Sequence, residues 1–203
     1  MQLTTFVLAA ISVGSVFGAP STVSRRDTVL GTAISAVSTA EAAITSEVAI
    51  ITTALQGTIN NQAITAIQGS LTNIATAITS ATTAVAPLVT GVALPLTQDE
   101  LNSLTGLLTN TQDIVNNVET ALNGIVSGFS RIPLLSQLLI QTEALAVVAT
   151  ISPFTSPITQ FANSAIAGVT GPVVSTIQST LTSISGLVSQ LVGPILAAIT
   201  GLL

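Results

Sequence analysis

The residues that could carry out acid–base chemistry in this 203-residue chain are almost all carboxylates. The chain holds eight Asp and Glu residues and three arginines, but no His, Cys, Tyr or Lys. This composition removes the usual general bases, thiol nucleophiles, Schiff-base lysines and nitrogen ligands for metals. A serine nucleophile would have no evident base beside it.

The carboxylates are better explained by helix structure than by catalysis. Residues 97–100 read T-x-x-E, the pattern of a capping box at a helix start. Glu41 and Glu47 lie about two turns apart on one predicted helix, and no second carboxylate is brought to either. Glu143 lies in an apolar stretch, where it either binds a polar head group or simply faces solvent. We therefore predict no enzyme, no catalytic residue, no metal site and no cofactor.

The low charge of the chain excludes several classes of partner. Hydrophobic residues make up 48% and charged residues 5% of the sequence, whereas about 25% is typical of a soluble domain. With a formal net charge of −5 and no basic patch, the chain is not expected to bind nucleic acid or anionic membrane surfaces. The missing cysteines exclude a disulfide scaffold but not secretion.

The first residues are typical of a secretory leader. An apolar run, Phe6 to Phe17, is followed by small residues, which predicts a signal peptide over 1–18; the alternative is a buried or membrane helix. Arg25 and Arg26 lie in the short polar segment 19–26, interpreted as a propeptide cut by a dibasic-specific protease. The mature chain would then be one domain, 27–203, in the extracellular space or cell wall.

The elements that must position the remaining side chains are helices, because apolar residues recur at 3–4 spacing and not in alternation. We predict an all-α fold, a bundle of five or six amphipathic helices that is mostly up-and-down. In the first half, the predicted segments are a helix from Asp27 to about Gly57, a helix over about 61–86, a loop over 87–96 and a helix over about 98–128. In the second half, a helix capped by Ser130 ends near Ile151, a break follows at 152–157, and a short helix runs from Pro157 to Gly168. A last helix begins at 170–172, and Gly193-Pro194 kinks or breaks it.

The apolar rows of these helices are the candidate binding surface. A hydroxyl-rich face costs less to dehydrate than a charged one, because a hydroxyl can donate to a backbone carbonyl. The rows could therefore lie on an oily surface or hold an acyl chain between helices, or they could simply pack against one another. The residues predicted to bind lipid or a hydrophobic surface are Ile64, Ile67, Leu71, Ile74, Ile78, Leu104, Leu108, Val115, Val118, Leu138, Leu145, Ile177, Leu181 and Ile184.

A leader, a propeptide that ends in Arg-Arg before Asp27, and the helix "TVLGTAISAVSTAEAAITSEVAIITTAL" together resemble a known family. The chain resembles, over about residues 27–190, the fungal hydrophobic surface binding protein A family, which includes the antigenic cell-wall galactomannoproteins. The resemblance implies a secreted or wall-associated helical bundle that adsorbs to hydrophobic surfaces. In some members it implies fatty-acid binding in a central cavity.

Two other readings stay open. A structural cell-wall mannoprotein with a lipid anchor would explain the uncharged tail at 187–203, which loosely fits an attachment signal. A membrane-inserting protein would explain the long apolar stripes. The sequence contains no Asn-x-Ser/Thr site, so Asn-linked sugars are not expected, and O-linked sugars are expected mainly on loops.

Overall fold

The structure, a computed structural model, describes residues 22–201, with side chains from residue 28 onward. The predicted signal peptide lies outside the described residues, and so do Leu202 and Leu203. The described segments are α1 Thr22–Gln56, α2 Asn61–Val85, α3 Leu88–Gly91, α4 Gln98–Gly128, a 3-10 turn Phe129–Arg131, α5 Leu134–Ile166, α6 Pro172–Gln190, a π-helical segment Leu191–Ile195, and α7 Leu196–Thr200.

The five long helices form an up-and-down bundle, which confirms the predicted fold class. Helix α1 packs against both α2 and α4, while α5 packs on α2 and α6 packs on α4. Successive long helices run in opposite directions, so α1, α4 and α6 are parallel to one another and antiparallel to α2 and α5. The ring is closed where α5 and α6 approach, and this seam is the most sparsely packed of the five.

Helix α4 begins as its sequence predicts. The Thr97 hydroxyl accepts a hydrogen bond from the Glu100 backbone N–H over 3.3 Å, and Glu100 Oε2 accepts one from the Thr97 N–H over 2.6 Å. The two bonds satisfy donors that a helix start leaves without an intrahelical partner. The T-x-x-E pattern is therefore a capping box.

The first helix begins earlier than predicted. Helix α1 starts at Thr22, so its backbone includes Arg25, Arg26 and Asp27. The 3–4 apolar spacing that predicts this helix begins only at Leu30, which is why the sequence placed the start near Asp27. Cleavage after Arg26 stays a prediction.

The predicted break at 152–157 is wrong, because α5 runs without interruption from Leu134 to Ile166 and contains Pro153 and Pro157. Each proline lacks an N–H donor and disfavours the preceding turn. Four apolar side chains nevertheless continue the buried row through both prolines, and this packing outweighs the local cost. They are Ile151, Phe154, Ile158 and Phe161, all at most 2% exposed.

Three smaller expectations can also be compared with the structure. Ser130 is not the cap of α5, since that position is taken by Pro133 with no side-chain bond. The predicted loop 87–96 contains a short helix, α3. The expected disturbance at Gly193-Pro194 is confirmed, because the chain there leaves α-helical geometry for a π-helical segment before α7.

Candidate functional site

The predicted binding residues are brought together, but mostly inside the bundle. Eleven of the fourteen belong to one continuous core of buried side chains. Leu145 and Leu181 are partly buried against that core, and Leu138 is 53% exposed. Most of these residues can therefore meet a lipid only if the helices separate to admit it.

A groove follows the sparsely packed seam between α5 and α6. Its volume is about 330 Å³, at the lower end of the range typical of small-molecule sites, about 300–1,000 Å³. The two most deeply buried residues of its lining are Ile184, at 1% exposure, and Thr155, at 5%. The lining residues are Thr155, Thr159, Asn163, Leu181, Ile184, Ser185, Val188 and Ser189.

The polar residues that line this groove carry no charge. The Thr155 hydroxyl donates to the Ile151 carbonyl and the Thr159 hydroxyl to the Ser156 carbonyl, both over 3.0 Å. Hydroxyls with such partners cost little to cover with an apolar ligand. The amide of Asn163 adds N–H donors at the same groove.

Two further grooves lie nearer the end of the bundle at which α1 joins α2. One, of about 540 Å³, lies between the end of α1 and the start of α2, and its lining includes Ile50 and several alanines. The other, of about 350 Å³, lies between α1 and α4 beside Arg131. The first is lined by no fully buried side chain, whereas the second reaches the buried side chains of Ile51 and Ala121.

Arg131 secures the end of α1 and binds no carboxylate in these contacts. Its guanidinium donates to the carbonyl oxygens of Leu55, over 2.8 Å, and Gly57, over 2.6 Å. The last carbonyls of a helix lack intrahelical partners and favour a nearby cation. Arg131 is therefore committed to holding the α1–α2 connection against the end of α4.

The glutamates on the helix faces bond to neutral side chains of neighbouring helices. Glu47 accepts from the Asn73 amide over 2.9 Å, and Glu143 accepts from the Thr72 hydroxyl over 3.2 Å. Glu143 therefore bridges α5 to α2, which neither of its predicted roles anticipated. No group of three or more potential metal ligands occurs among the described residues.

Threonines across the bundle turn their hydroxyls onto their own helices. In α2, for example, Thr76 donates to the Thr72 carbonyl and Thr79 to the Ala75 carbonyl, each over 2.8 Å. The same i to i−4 bond recurs on the long helices, including exposed positions such as Thr53. The helix faces are therefore polar in composition, but their hydroxyls need few hydrogen bonds from water, as the sequence predicts.

The start of α5 carries an exposed apolar surface that sequence reasoning largely missed. We name it the leucine patch: Leu134, Leu135, Leu138 and Leu139, which are 77%, 86%, 53% and 57% exposed. Only Leu138 was among the predicted binding residues. The other three belong to the apolar segment of the same predicted helix and were given no binding role.

Two buried glutamines explain why these leucines face outward. The Gln137 amide donates to the carbonyls of Phe129 and Ile132, and the Gln141 amide donates to that of Ile199 over 2.8 Å. Both glutamines are 7% exposed. Their i, i+4 spacing places them on one row of the helix. Leu135 and Leu139 form a second i, i+4 row on the far side, and Leu134 and Leu138 lie between the two rows. This glutamine spacing is the signal that could have revealed the patch.

Four helices of the described chain are long and apolar enough to cross a membrane, judged by length and composition alone. They are Thr28–Gln56, Asn61–Gly91, Leu134–Ile166 and Pro172–Thr200. In the structure each turns an apolar row into the shared core. Their apolar character is therefore at least partly accounted for by packing within the bundle.

Comparison with known proteins yields a likeness of fold. No family model matches the chain, and no curated protein sequence matches it. Among solved structures, the chain is similar to Afmp4p of Aspergillus fumigatus, crystallised in complex with palmitic acid. The TM-score is 0.54 at 17% sequence identity, and the match covers 84% of this chain and 99% of Afmp4p. The two chains share a related helical fold.

Proposed function

We propose that the protein is a secreted, non-enzymatic binder of fatty acyl chains related to the fungal hydrophobic surface binding protein A family. The observation that carries this proposal is the groove at the α5–α6 seam, which is lined by the apolar side chains of Leu181, Ile184 and Val188 and by uncharged polar residues. It lies in a fold related to that of Afmp4p, whose structure contains palmitic acid. A fatty acid is the ligand whose chemistry fits such a groove.

The acyl chain supplies the binding free energy. Each methylene removed from water contributes about 0.8 kcal/mol, and the buried rows of α5 and α6 can receive it where their packing is sparsest. We expect the acyl chain to enter beside Leu181 and Ile184 and to displace α6 from α5. These two are the members of the predicted binding set that line this groove.

The carboxylate needs hydrogen-bond donors and not a cation. The seam groove offers the amide of Asn163 and the hydroxyls of Ser185 and Ser189, and no charged residue lines it. We therefore expect the head group to stay at the rim, where water completes its hydration. Uncharged relatives such as fatty alcohols should bind comparably, because no ion pair is lost.

A matched pair of substitutions on α6 tests this site. Ser185→Trp places a large side chain in the groove, whereas Ser183→Trp places the same side chain on the exposed face of α6 outside it. Titration with palmitic acid should give a Kd for Ser185→Trp at least about tenfold weaker than wild type, with Ser183→Trp within about twofold. Equal affinity in both variants would exclude the groove, and no binding by the wild-type protein would refute the function.

Secretion and processing require a separate measurement. The intact mass and N-terminal sequence of the protein recovered from the medium should correspond to a chain that starts at Asp27, after the Arg25-Arg26 pair. A chain that starts at Ala19 would support removal of the signal peptide but would contradict cleavage after the Arg25-Arg26 pair. The same mass shows whether Leu203 is retained, and a chain that ends there has no lipid anchor in place of its tail.

A further inference from the structure

We infer that α6 is a gate for the groove at the α5–α6 seam: a helix held at both ends that moves away from α5 and returns, while it stays packed on α4. The inference rests on the proposed function, because the groove that opens is the proposed site of the acyl chain. Two joints, one at each end of α6, permit this motion. The packing, the hydrogen bonds and the connections of α6 all differ from those of the other long helices.

Helix α6 buries the fewest side chains of the five long helices in the described chain. Val174, Ile177 and Ile184 are the three buried residues among its nineteen, whereas α2 buries eight of twenty-five. Leu181 and Val188 are only partly buried against the core. A helix with little buried apolar surface separates from its neighbours at a lower free-energy cost than the rest of the structure.

No side-chain hydrogen bond joins α6 to another long helix among the described residues. The hydroxyls of α6 donate instead to carbonyls of their own helix, as Thr180 does to Thr176 over 3.0 Å. Movement of α6 as a unit therefore leaves its side-chain bonds intact. The three seams that join the other long helices each contain a side-chain bond, and these run from Asn73 to Glu47, from Thr72 to Glu143 and from Asn117 to Thr45.

The connection from α5 to α6, residues 167–171, forms the first joint. Gly168 has a φ of 76° and Gly171 a φ of 139°, a region that glycine adopts without the steric cost of a side chain. No atom lies within 4 Å of a Cβ built on either glycine, so no neighbouring side chain encloses them. Hinges are typically a few residues of this kind at the end of an element.

The π-helical segment Leu191–Ile195 forms the second joint. Pro194 has no backbone N–H, and the wider π-helical turn interrupts the regular ladder of the helix, so a bend can be absorbed there and not along α6. Beyond this segment, Ile199 is 1% exposed and its carbonyl accepts from the Gln141 amide. Helix α7 therefore stays on α5 while α6 moves.

Opening between these joints gives access to the groove without unfolding the bundle. Ile184 lines the groove and is 1% exposed when α6 lies against α5, so separation of the two helices brings this side chain into contact with solvent or ligand. Local separation costs less free energy than global unfolding, and the open state is therefore populated more than the unfolded state.

Thiol labelling tests the gate, because the chain has no cysteine and an introduced cysteine is the sole thiol. Ile184→Cys places the thiol on α6 at the groove. Ile74→Cys is the matched control on α2, where the isoleucine is also 1% exposed. In the purified secreted protein without ligand, we expect a small maleimide to label Ile184→Cys at least about tenfold faster than Ile74→Cys.

The dependence of the labelling rate on urea separates local opening from unfolding. Urea promotes unfolding strongly because unfolding exposes a large surface, whereas opening of one seam exposes little. At urea concentrations below the unfolding transition, the labelling rate of Ile184→Cys should therefore change by less than about twofold, and that of Ile74→Cys should rise severalfold. This comparison holds even where the cysteine substitution lowers the stability of the whole protein.

Two results would overturn the inference. One is an equal labelling rate in the two variants, and the other is a rate for Ile184→Cys that rises with urea as steeply as that for Ile74→Cys. Palmitic acid titration of the wild-type protein separates the gate from the proposed function. Binding of palmitic acid without rapid labelling of Ile184→Cys refutes the gate alone, and rapid labelling without binding by the wild type refutes the proposed function alone.

Discussion

Gln141 donates its side-chain amide to the backbone carbonyl of Ile199 over 2.8 Å, which joins the second turn of α5 to the last helix of the described chain. The glutamine is buried, and its partner lies beyond the π-helical segment that contains Pro194. This bond and the burial of Ile199 in the core together hold α7 after the regular helix geometry of α6 has ended. Helix α7 has five residues, too few to be stable alone.

We expect Gln141→Ala to loosen α7 more than it destabilises the bundle. Loss of the bond should lower the free energy of unfolding by about 1 kcal/mol and should accelerate amide hydrogen exchange at residues 196–201. Gln160→Ala is the control, because Gln160 lies on the same helix but bonds the exposed Ser156 hydroxyl; it should change stability by less than about 0.5 kcal/mol. Unchanged exchange at 196–201 in Gln141→Ala would contradict this role.

The Leu55 side chain packs against two glycines near the end of α4. A Cβ atom at Gly128 would lie 3.0 Å from Leu55 Cδ2, and one at Gly124 would lie 3.3 Å from Leu55 Cδ1. Both contacts fall on the same side chain, so the two added Cβ atoms would displace Leu55 together. We expect Gly124→Ala/Gly128→Ala to lower the free energy of unfolding by roughly 1–3 kcal/mol in urea denaturation.

The control for that pair is Gly106→Ala on the same helix. No atom lies within 4 Å of a Cβ built there, so alanine gains helix propensity without a clash. We expect an increase in stability of about 0.5–1 kcal/mol. If Gly124→Ala/Gly128→Ala raised the free energy of unfolding as Gly106→Ala does, the close approach of Leu55 to the two glycines would not contribute to stability.

The capping box of α4 should contribute measurably to stability. Thr97→Ala removes the hydroxyl that accepts from the Glu100 N–H, and we expect a loss of about 0.5–2 kcal/mol. Thr109→Ala, on an exposed part of the same helix, removes only a bond to the Thr105 carbonyl. It should leave the urea midpoint nearly unchanged, and equal losses in the two variants would rule out a special role for the cap.

The contribution of Arg131 to stability should depend on the shape of its side chain as well as on its charge. The guanidinium reaches two carbonyls, those of Leu55 and Gly57, through two different nitrogens. We expect Arg131→Gln to lower stability by about 1 kcal/mol, and Arg131→Lys to recover only part of this, because an ammonium lacks the planar fork. Full recovery by lysine in thermal denaturation would show that charge alone matters.

Local patterns in the sequence were sufficient for most of the fold. The 3–4 rows of α2 and α4 and the T-x-x-E start at Thr97 each depend on residues close in the chain, and the structure has them as predicted. Helix α5 shows where local rules fail. The cost of Pro153 is local, whereas the burial of Phe154 and Phe161 that offsets it depends on helices distant in sequence.

The candidate sites were harder to predict for the same reason. Which of the five seams is sparsely packed depends on how whole helices pair, so no spacing rule points to the α5–α6 groove. The leucine patch was hidden by the expectation that leucine is buried. The hydrogen-bond partners of Gln137 and Gln141 show that their amides face the core. These partners lie on the 3-10 turn, at the extended residue Ile132 and on the last helix.

The leucine patch lies at one end of the bundle and not along a flank, so a molecule that covers it contacts the tip of a rod. Helix α1 has 35 residues, which at about 1.5 Å per residue gives it a length of roughly 50 Å. An occupant of the patch would therefore leave the long faces of the helices in contact with water, and α3, at the opposite end, would lie about that distance away.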